Sequence, residues 1–375
     1  MSVVIAAVET FAVCYPVVGR FKFFENTSGK PTGRLAVVVK LTASDGTVGW
    51  GLSGPSPRWS YETLETIQTT IDRYLAPELA GRDPFDTEGI THGMNTAIAP
   101  SFSTGQPICK AGIDLALFDL TGRLLGQSAA QRWKKSCDAP VTLSWTLNPR
   151  TLDEVEPQVA AARSRGYRHF NVKVAPDVAF DVELCGLIRK LAPDGTLWAD
   201  ANGGYDEASA LEAAPKLADL GVSFVEQPVP ANRLGAYRRL KQQGALPIIM
   251  DEGLVSCVEL EEFHRLGLLD GAAIKVQRCG GLTEARRQVE FLRENGLLFL
   301  GSGLTDPDMS LAACVLLYSA YGLEYAAALN GPQFLETSLL KQPLKARDGK
   351  LSSPTGPGLG VDVDEAKLRA MLCAS

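Results

Sequence analysis

Five ionisable residues, each at the end of a short apolar run, recur along the middle of this chain at nearly constant intervals. They are spaced 27, 26, 25 and 24 residues apart. Each run has four or five residues, which is too short for a helix, and is rich in residues that favour strands. We therefore predict five consecutive parallel strands. The strand-end residues are Lys173, Asp200, Glu226, Asp251 and Lys275.

The segments between these runs have apolar residues three and four positions apart, as amphipathic helices do; examples are 207–220, 257–266 and 283–294. A strand and helix unit that repeats at least five times predicts a (β/α) barrel, whose reactive groups project from the C-terminal strand ends. Because side chains alternate across a strand, Asn171 shares a face with Lys173, and Asn202 shares one with Asp200. We expect both pairs to point into the barrel mouth.

The fold class we predict is α/β: a (β/α)7β TIM-type barrel with an α+β N-terminal capping domain that the C-terminal tail completes. Residues 1–130 form the expected capping domain with lid loops, residues 131–332 the barrel with the active site, and residues 333–375 the segment that returns to the capping domain. Runs at 141–146, 297–301 and 325–330 would complete a set of eight barrel strands.

The capping domain is expected to be antiparallel at its start. Alternating runs at 3–13 and 34–41, followed by a turn at 44–49, predict its first strands. The loops at 15–33 and 51–59 are long and rich in turn-forming and aromatic residues. Loops of this length in a compact domain are usually functional, so we predict that the first is a mobile lid.

Composition limits the function. The chain has 375 residues, 45% of them apolar and 21% charged, with a net charge of −6. This mild acidity argues against a nucleic-acid ligand, and the short apolar runs predict no membrane span. The N-terminal sequence lacks the features of a signal peptide, so we expect a cytoplasmic protein. Eight cysteines without a CxxC pair predict reduced thiols.

Three of the strand-end residues, Asp200, Glu226 and Asp251, are carboxylates. A cage of oxygen ligands without histidine favours Mg²⁺ over zinc or copper. Any one of these carboxylates alone would suggest a helix cap or a salt bridge, but three like charges in one barrel mouth require a cation or bound protons. Lys173 and Lys275 come from the strands that flank the carboxylates. We expect them to face each other across the metal as an acid and a base.

Together these positions resemble the muconate lactonising enzyme subgroup of the enolase superfamily. The resemblance implies abstraction of the proton alpha to a carboxylate, giving an enediolate held by Mg²⁺, with the three carboxylates as ligands and the two lysines as the acid/base pair. The substrate would be a small-molecule carboxylate. The residues that carry the resemblance are Lys173, Asp200-Ala-Asn202, Glu226-Gln-Pro228, Asp251-Glu252, and Lys275 with Gly280-Gly281.

The chain departs from the subgroup at one position of the second barrel strand. The subgroup usually carries Lys-x-Lys there, whereas this chain has Asn171 before Lys173. A neutral amide can still donate a hydrogen bond to a substrate carboxylate. However, one positive charge that would lower the pKa of Lys173 is absent.

Within the subgroup, the stretches at 303–308 and 329–333 resemble those of cis-3-hydroxy-L-proline dehydratases. That resemblance implies a Mg²⁺-dependent lyase that removes the alpha proton of an imino-acid carboxylate and eliminates water, giving 1-pyrroline-2-carboxylate. The nearest alternative is a racemase or epimerase of proline, hydroxyproline betaine or another amino acid. A cycloisomerase and a non-catalytic barrel that binds an acid are further alternatives.

Substrate contacts are expected from both the barrel and the lid. Asp306, with Trp145 opposite, could hold a cationic amine by charge and cation–π attraction, or it could cap the helix that follows. For Asp308 we favour the cap. Barrels of this kind often assemble, so we also expect a homo-oligomer. The expected substrate-binding residues are Asn171, Asn202, Trp145, Asp306, Asn330 and Phe24.

Overall fold

The structure is a computed structural model that describes residues 3–26, 28–100 and 103–373. Thr27 of the predicted lid loop lies outside these ranges. So do residues 101–102 of the predicted capping domain and the two residues at each end of the chain.

A three-stranded antiparallel sheet opens the chain, with strands in the order β1, β2, β3. It confirms the predicted antiparallel start. Val38 on β2 packs into the large core shared with the barrel, whereas Val37 and Val39 pack against the helices of the capping domain. Both faces of the strand are therefore covered, which suits a run of β-branched residues. The strands are β1 (Ile5–Tyr15), β2 (Arg34–Ala43) and β3 (Val48–Ser53).

Among the residues that the structure describes, five helices follow the sheet, and the fourth is the longest and lies against β3. A Cβ atom at Gly51 would sit 1.9 Å from the carbonyl oxygen of Gly112, so only glycine permits this close approach of strand and helix. The helices are α1 (Leu64–Thr70), α2 (Ala76–Leu79), α3 (Thr87–Ala97), α4 (Pro107–Leu125) and α5 (Ala129–Trp133), with a π-helical turn at Ile71–Leu75.

Seven parallel strands, in chain order from β5 to β11, form the barrel wall. The predicted alternation of strands and helices is confirmed. The short strand β4 (Val141–Thr142) precedes them. The wall strands are β5 (Ser144–Leu147), β6 (His169–Lys173), β7 (Leu197–Asp200), β8 (Val225–Glu226), β9 (Ile248–Met250), β10 (Gly271–Ile274) and β11 (Leu298–Gly301). The helices are α6 (Val155–Ser164), α7 (Val178–Leu191), α8 (Glu207–Asp219), α9 (Leu234–Gln243), α10 (Cys257–Arg265), α11 (Leu282–Glu294) and α12 (Asp308–Ala320).

An eighth segment closes the wall. Ala327 forms a parallel bridge with Leu143 beside β5, and Ala328 forms one with Ser302 beside β11. The predicted strand at 325–330 is therefore present as a short bridging segment that contacts both edges of the sheet. The structure confirms the predicted enolase-like class of fold, a parallel-strand barrel with an N-terminal capping domain.

The interior of the barrel is filled by one inward-facing residue from each of several strands. Trp198, Phe224, Ile249, Ala273 and Leu300 form this core together with Ala328. Two residues further along their strands, side chains point inward again, now at the mouth. This alternation places Asp200, Glu226, Asp251 and Lys275 directly above the apolar core.

The C-terminal segment returns to the capping domain through α13 (Gly331–Phe334), β12 (Lys350–Leu351) and α14 (Glu365–Ala370). β12 pairs with β4, and Leu372 forms an antiparallel bridge with Val13 of β1. The predicted domain boundaries at residues 130 and 332 stay a prediction.

All eight cysteines lie within the described residues, and each is a free thiol. Within the three described ranges, no helix has both the length and the apolar character needed to cross a bilayer.

Two buried polar side chains fasten the loop at 51–59 to the barrel. Arg34, at the start of β2, donates hydrogen bonds to the carbonyls of Gly54 (2.9 Å), Pro55 and Thr305 (3.3 Å). Gln277, just after β10, accepts from the Gly54 amide at 3.0 Å and donates to the Leu52 carbonyl at 2.6 Å. The second predicted loop is therefore fixed over the barrel mouth.

Candidate active site

Three buried carboxylates meet at the barrel mouth. Oxygen atoms of Asp200, Glu226 and Asp251 lie within 4.8 Å of one another, and the three residues are between 0% and 2% exposed. Trp198 donates its indole N–H to Oε2 of Glu226 at 3.0 Å, while Oε1 of Glu226 is buried without a hydrogen-bond partner. A hard divalent cation fits this donor set, because it would use the free oxygen and neutralise the convergent charges.

Two lysines flank the carboxylates. Lys173 donates to Oδ2 of Asp200, and Lys275 donates to Oδ2 of Asp251. The Lys275 ammonium also lies 3.9 Å from Oε1 of Glu226. Both lysines line the same cavity, one at the end of β6 and the other just after β10. Their ammonium groups can therefore reach a substrate from two sides.

The electrostatic environment differs among the three carboxylates. Burial, together with the charges of Asp200 and Asp251, raises the pKa of Glu226 to about 8. Burial alone would also raise the pKa of Asp251, but Lys275 and Arg278 lower it to about 2. Arg278 donates from Nη1 to Oδ1 of Asp251 at 2.5 Å. Asp251 is thus held ionised, and Glu226 experiences the negative charges of Asp200 and Asp251, which a bound cation would offset.

Burial and neighbouring charges also act in opposite directions on the pKa of Lys173. Burial alone would lower its pKa, but the carboxylates of Asp200 and Glu226 raise the pKa above the ordinary value for lysine. The groups that keep this lysine protonated are therefore two of the groups that would ligate the cation.

A chain of neutral side chains borders the carboxylates. Asn171 accepts at Oδ1 from the hydroxyls of Ser144 and Thr146, each at 3.1 Å. Thr146 in turn accepts from Nδ2 of Asn330 at 3.3 Å, and Oδ1 of Asn330 is buried without a partner. Fixing the oxygen of Asn171 in this way directs its amide N–H groups towards the cavity.

Asn202 adds a second amide to the cavity. It adopts a left-handed backbone conformation with φ of 46° and donates its main-chain N–H to Oδ1 of Asp200 at 3.0 Å. Both polar atoms of its side-chain amide are buried without partners. The cavity therefore contains neutral donors and acceptors that the described residues do not satisfy.

The lid loops form the roof. The space between this roof and the barrel mouth amounts to about 450 Å³, part of which is open to solvent. The Lys173 ammonium lies 5.8 Å from the centroid of the Phe23 ring, and the Lys275 ammonium lies 4.8 Å from the centroid of Trp59. Phe24, expected from the sequence to contact substrate, also lines the cavity. The other roof residues are Phe21, Ser56 and Leu304.

The structure does not bring Trp145 into the cavity. Its neighbours Ser144 and Thr146 bond to Asn171, so alternation along β5 turns the indole outward. There it makes an edge contact with Tyr167, with ring centroids 5.0 Å apart, under the guanidinium of Arg165.

Neither aspartate of the 303–308 stretch lines the cavity. Asp306 is 2% exposed and accepts from the Leu304 amide at 2.9 Å, so its carboxylate stabilises its own turn. Asp308 accepts from the hydroxyls of Tyr15 and Ser338 and from the Leu339 amide, which ties α12 to β1 and to the C-terminal segment. Neither aspartate is thus among the residues that line the cavity, although Oδ1 of Asp306 is buried without a hydrogen-bond partner among the described residues.

Comparison with known families places these features in context. Residues 26–132 match the family described as the N-terminal domain of mandelate racemase and muconate lactonizing enzyme. Residues 154–367 match the enolase C-terminal domain-like family. The chain belongs to the muconate lactonizing enzyme subgroup of the enolase superfamily. Its cofactor is Mg²⁺, and the triad of Asp200, Glu226 and Asp251 fits the metal site.

Relatives of this enolase-superfamily enzyme include cycloisomerases. The chloromuconate cycloisomerase of Cupriavidus necator is 33% identical over 339 residues, which cover 89% of this chain and 90% of that protein. Muconate cycloisomerase 1 of Rhodococcus opacus is 28% identical, with 96% of both chains covered. The muconate lactonizing enzyme of Pseudomonas fluorescens, solved with muconolactone, superposes with a TM-score of 0.91 at 25% identity over the whole of both chains.

These findings establish an enzyme of this superfamily that binds a small-molecule carboxylate. The dehydration of a hydroxyproline, which was expected from the sequence, stays a prediction. The substrate contacts and the roles of the individual lysines likewise stay predictions.

Proposed function

We propose that this protein is a hydro-lyase that converts cis-3-hydroxy-L-proline to 1-pyrroline-2-carboxylate and water. The observation that carries the proposal is the set of unpartnered amide atoms beside the two lysines. Oδ1 of Asn330 and both polar atoms of the Asn202 amide are buried without hydrogen bonds among the described residues. A buried polar atom without a partner costs about 1–3 kcal/mol, so these atoms favour a ligand that supplies both donors and acceptors.

A hydroxylated imino acid meets that requirement. Its nitrogen and its hydroxyl can donate hydrogen bonds to the amide oxygens of Asn330 and Asn202. Its carboxylate can accept a hydrogen bond from the Asn171 amide. An ionised muconate carries two carboxylates and has no N–H or O–H donor. Binding it would therefore leave the amide oxygens of the cavity without partners.

The two lysines suit an anti elimination. In the cis isomer the hydroxyl and the carboxylate share one ring face, so the alpha proton lies on the other face. One lysine removes that proton, and the other protonates the departing hydroxyl. The enamine that results tautomerises to 1-pyrroline-2-carboxylate. We assign Lys173 as the base and Lys275 as the acid, although the opposite order satisfies the same stereochemistry.

When bound, Mg²⁺ would neutralise the carboxylates and stabilise the negative charge that develops on the substrate carboxylate. Asp200, Glu226 and Asp251 are the residues that would hold it. Lys173 and Lys275 hold and move protons on either side of the cavity, and Phe23 and Trp59 exclude water above the lysines. The resulting dry site strengthens every charge interaction within it.

Proton NMR of the Mg²⁺-loaded protein in D₂O tests the proposal. Separate samples would contain cis-3-hydroxy-L-proline, trans-4-hydroxy-L-proline and L-proline. We expect the signal of the proton on the hydroxyl-bearing carbon to disappear only for the cis-3 compound, with the appearance of the signals of 1-pyrroline-2-carboxylate. Exchange of the alpha proton without loss of water would replace the dehydratase by a racemase or epimerase that uses the same lysines. No reaction in all three samples would contradict the imino-acid assignment.

Cycloisomerisation of a muconate is a second candidate. It is favoured by the 33% identity to chloromuconate cycloisomerases across most of both chains. Adding cis,cis-muconate as a fourth sample separates the two reactions, because lactone formation gives a product distinct from any pyrroline.

The wider expectations from the sequence stay proposals as well. We propose a cytoplasmic enzyme that assembles as a homo-oligomer and acts on a small imino acid, without nucleic acid or membrane partners.

A further inference from the structure

Trp198 lies in the apolar interior of the barrel, below the carboxylate triad. It is 1% exposed, and its ring packs against Phe224 with centroids 5.5 Å apart. Asp200 and Glu226 are paired residues of the neighbouring strands β7 and β8. Because Trp198 precedes Asp200 by two positions, its side chain starts one layer below the triad. The indole is long enough to reach the layer above, where its N–H donates to Oε2 of Glu226 at 3.0 Å.

This indole is the one hydrogen-bond donor that the described residues supply to the Glu226 carboxylate. The other oxygen, Oε1, is buried without a hydrogen-bond partner and lies 3.9 Å from the Lys275 ammonium. An indole has a single donor and no acceptor, so it can engage one carboxylate oxygen and no more. The contact with Trp198 therefore directs Oε2 towards the core and leaves Oε1 on the side of the cavity.

The other two carboxylates of the triad show the same division between their oxygens. Oδ1 of Asp200 accepts from the main-chain N–H of Asn202 at 3.0 Å, and Oδ1 of Asp251 accepts from Nη1 of Arg278 at 2.5 Å. In both aspartates, Oδ2 accepts from one of the two lysines that line the cavity. Each carboxylate thus has one oxygen held by the surrounding protein and one oxygen at the cavity.

Glu226 depends on its outer donor more than the two aspartates do. Each aspartate has hydrogen bonds to both of its oxygens, whereas Glu226 has a hydrogen bond to Oε2 alone. A glutamate side chain also has one more rotatable bond than an aspartate side chain, and its freedom to rotate opposes a fixed orientation. Without the indole N–H, no described residue would donate a hydrogen bond to the Glu226 carboxylate.

We propose that Trp198 is a positioning residue of the metal site, which holds Glu226 so that Oε1 alone is presented to Mg²⁺. The role concerns the metal and not the acid that reacts, so it applies equally to a dehydratase and to a cycloisomerase. Mg²⁺ demands a strict ligand geometry, whereas Ca²⁺ accepts more oxygens and often both oxygens of one carboxylate. A carboxylate that is held through one oxygen therefore favours Mg²⁺ over Ca²⁺.

Calorimetric titration of the protein with MgCl₂, and separately with CaCl₂, tests this role without any substrate. We expect Trp198→Phe to lower the affinity for Mg²⁺ about 10- to 100-fold, because phenylalanine fills the core but cannot donate to Glu226. Affinity for Ca²⁺ should fall less than about threefold, since a carboxylate that is free to rotate can offer it both oxygens. Trp50→Phe is the matched control, because Trp50 is a buried tryptophan of the capping domain, 7% exposed.

Three calorimetric results would overturn the proposal. They are an affinity for Mg²⁺ in Trp198→Phe within about twofold of the parent, an equal loss in Trp50→Phe, and losses of Mg²⁺ and Ca²⁺ affinity by the same factor. The last result would mean that the substitution damages the site as a whole and does not release one ligand. Thermal unfolding of both variants shows whether each is folded at the temperature of the titration.

NMR of the parent protein provides a test that does not require Trp198→Phe to fold. The chain has five tryptophans, whose ¹⁵N-labelled indole N–H signals can be assigned by replacing each in turn with phenylalanine, and the last one by elimination. We expect the Trp198 signal to move as MgCl₂ is added, with half-saturation at the calorimetric dissociation constant, because the cation withdraws charge from the carboxylate that accepts this hydrogen bond. The Trp50 signal should stay constant. A Trp198 signal that does not respond to Mg²⁺ would contradict the proposal.

Discussion

The barrel mouth and the lid meet at one cavity but are built on different principles. In the barrel mouth, the charged groups are paired with one another: Lys173 with Asp200, Lys275 with Asp251, and Arg278 with Asp251. In the lid, the side chains over the cavity are mainly aromatic rings. We therefore expect the barrel to supply the reaction chemistry and the lid to take part in ligand recognition.

The pKa values of two buried carboxylates, Asp251 in the barrel and Glu62 in the capping domain, also differ. Asp251 is fully buried, yet Lys275 and Arg278 hold its pKa at about 2. Glu62 in the capping domain is 1% exposed, and burial raises its pKa to about 7 although it accepts hydrogen bonds from the amides of Ile108 and Cys109. Equal burial has opposite consequences because Lys275 and Arg278 form ion pairs with Asp251, whereas the charge of Lys110 lowers the pKa of Glu62 less than burial raises it. Changes in the barrel should therefore alter kcat and metal affinity, and changes in the capping domain should alter KM or stability.

The largest effect is expected from removing a lysine of the barrel. Lys275→Ala should lower kcat for dehydration about 10²- to 10⁴-fold, because it removes one of the two proton-transfer groups. Lys216→Ala, an exposed lysine on α8, is the control for expression and folding. A kcat within tenfold of the parent would assign the proton transfer to another group.

Protonation of Glu62 should make stability depend on pH. Its pKa is raised from an ordinary 4.5 to about 7 in the folded protein, so its contribution is complete below about pH 4.5 and is lost as the pH rises to 7. The loss amounts to at most about 3 kcal/mol. Glu62→Gln removes it. The thermal midpoint of the parent relative to that of the variant should therefore fall between pH 4.5 and 7.5, and a constant difference would contradict the assigned pKa.

Removal of one carboxylate from the triad should weaken Mg²⁺ binding. Glu226→Gln keeps the shape of the side chain but supplies a weaker, neutral ligand, so Mg²⁺ affinity should fall at least about 100-fold. Calorimetric titration with MgCl₂ measures this loss without any substrate. An affinity equal to that of the parent would exclude Glu226 as a ligand.

The smallest effect is expected on the roof of the cavity. Trp59→Leu removes the ring 4.8 Å from the Lys275 ammonium. It should raise KM about 2- to 30-fold, the range for a cation–π contact and its buried area. Tyr74→Leu, which changes an aromatic residue that is 52% exposed, should leave KM unchanged. A fall in kcat beyond tenfold in Trp59→Leu would remove the proposed division between lid and barrel.

The same division governs what could be predicted from the sequence. The strand-end residues of the barrel recur with one repeating unit. Their spacing, together with the apolar patterns of the strands and of the segments between them, predicted the strands, the helices and the convergence of Asp200, Glu226 and Asp251. The alternation rule also contained the orientation of β5. It places Ser144 and Thr146 inward and Trp145 outward. The two hydroxyl residues that donate to Asn171 could therefore have been found from the sequence.

The lid residues could not have been found in this way. Phe23 and Trp59 lie in the loops at 15–33 and 51–59, where no long strand or helix relates one side chain to the next by a period. Their approach to the cavity depends on contacts distant in sequence, such as Phe21 with Phe334 and Arg34 with Thr305. Asp306 shows the opposite difficulty, because a carboxylate in the loop after a strand can stabilise its own turn as readily as it can bind a substrate.

We propose that the neutral amides of the cavity select a hydroxylated imino acid. The decisive measurement is kcat/KM for cis-3-hydroxy-L-proline and for cis,cis-muconate on the same preparation of Mg²⁺-loaded protein. We expect a value at least about 100-fold higher for the imino acid, because the muconate would leave the amide oxygens of Asn202 and Asn330 unpaired. An equal or higher value for muconate would exclude this selection and identify a cycloisomerase.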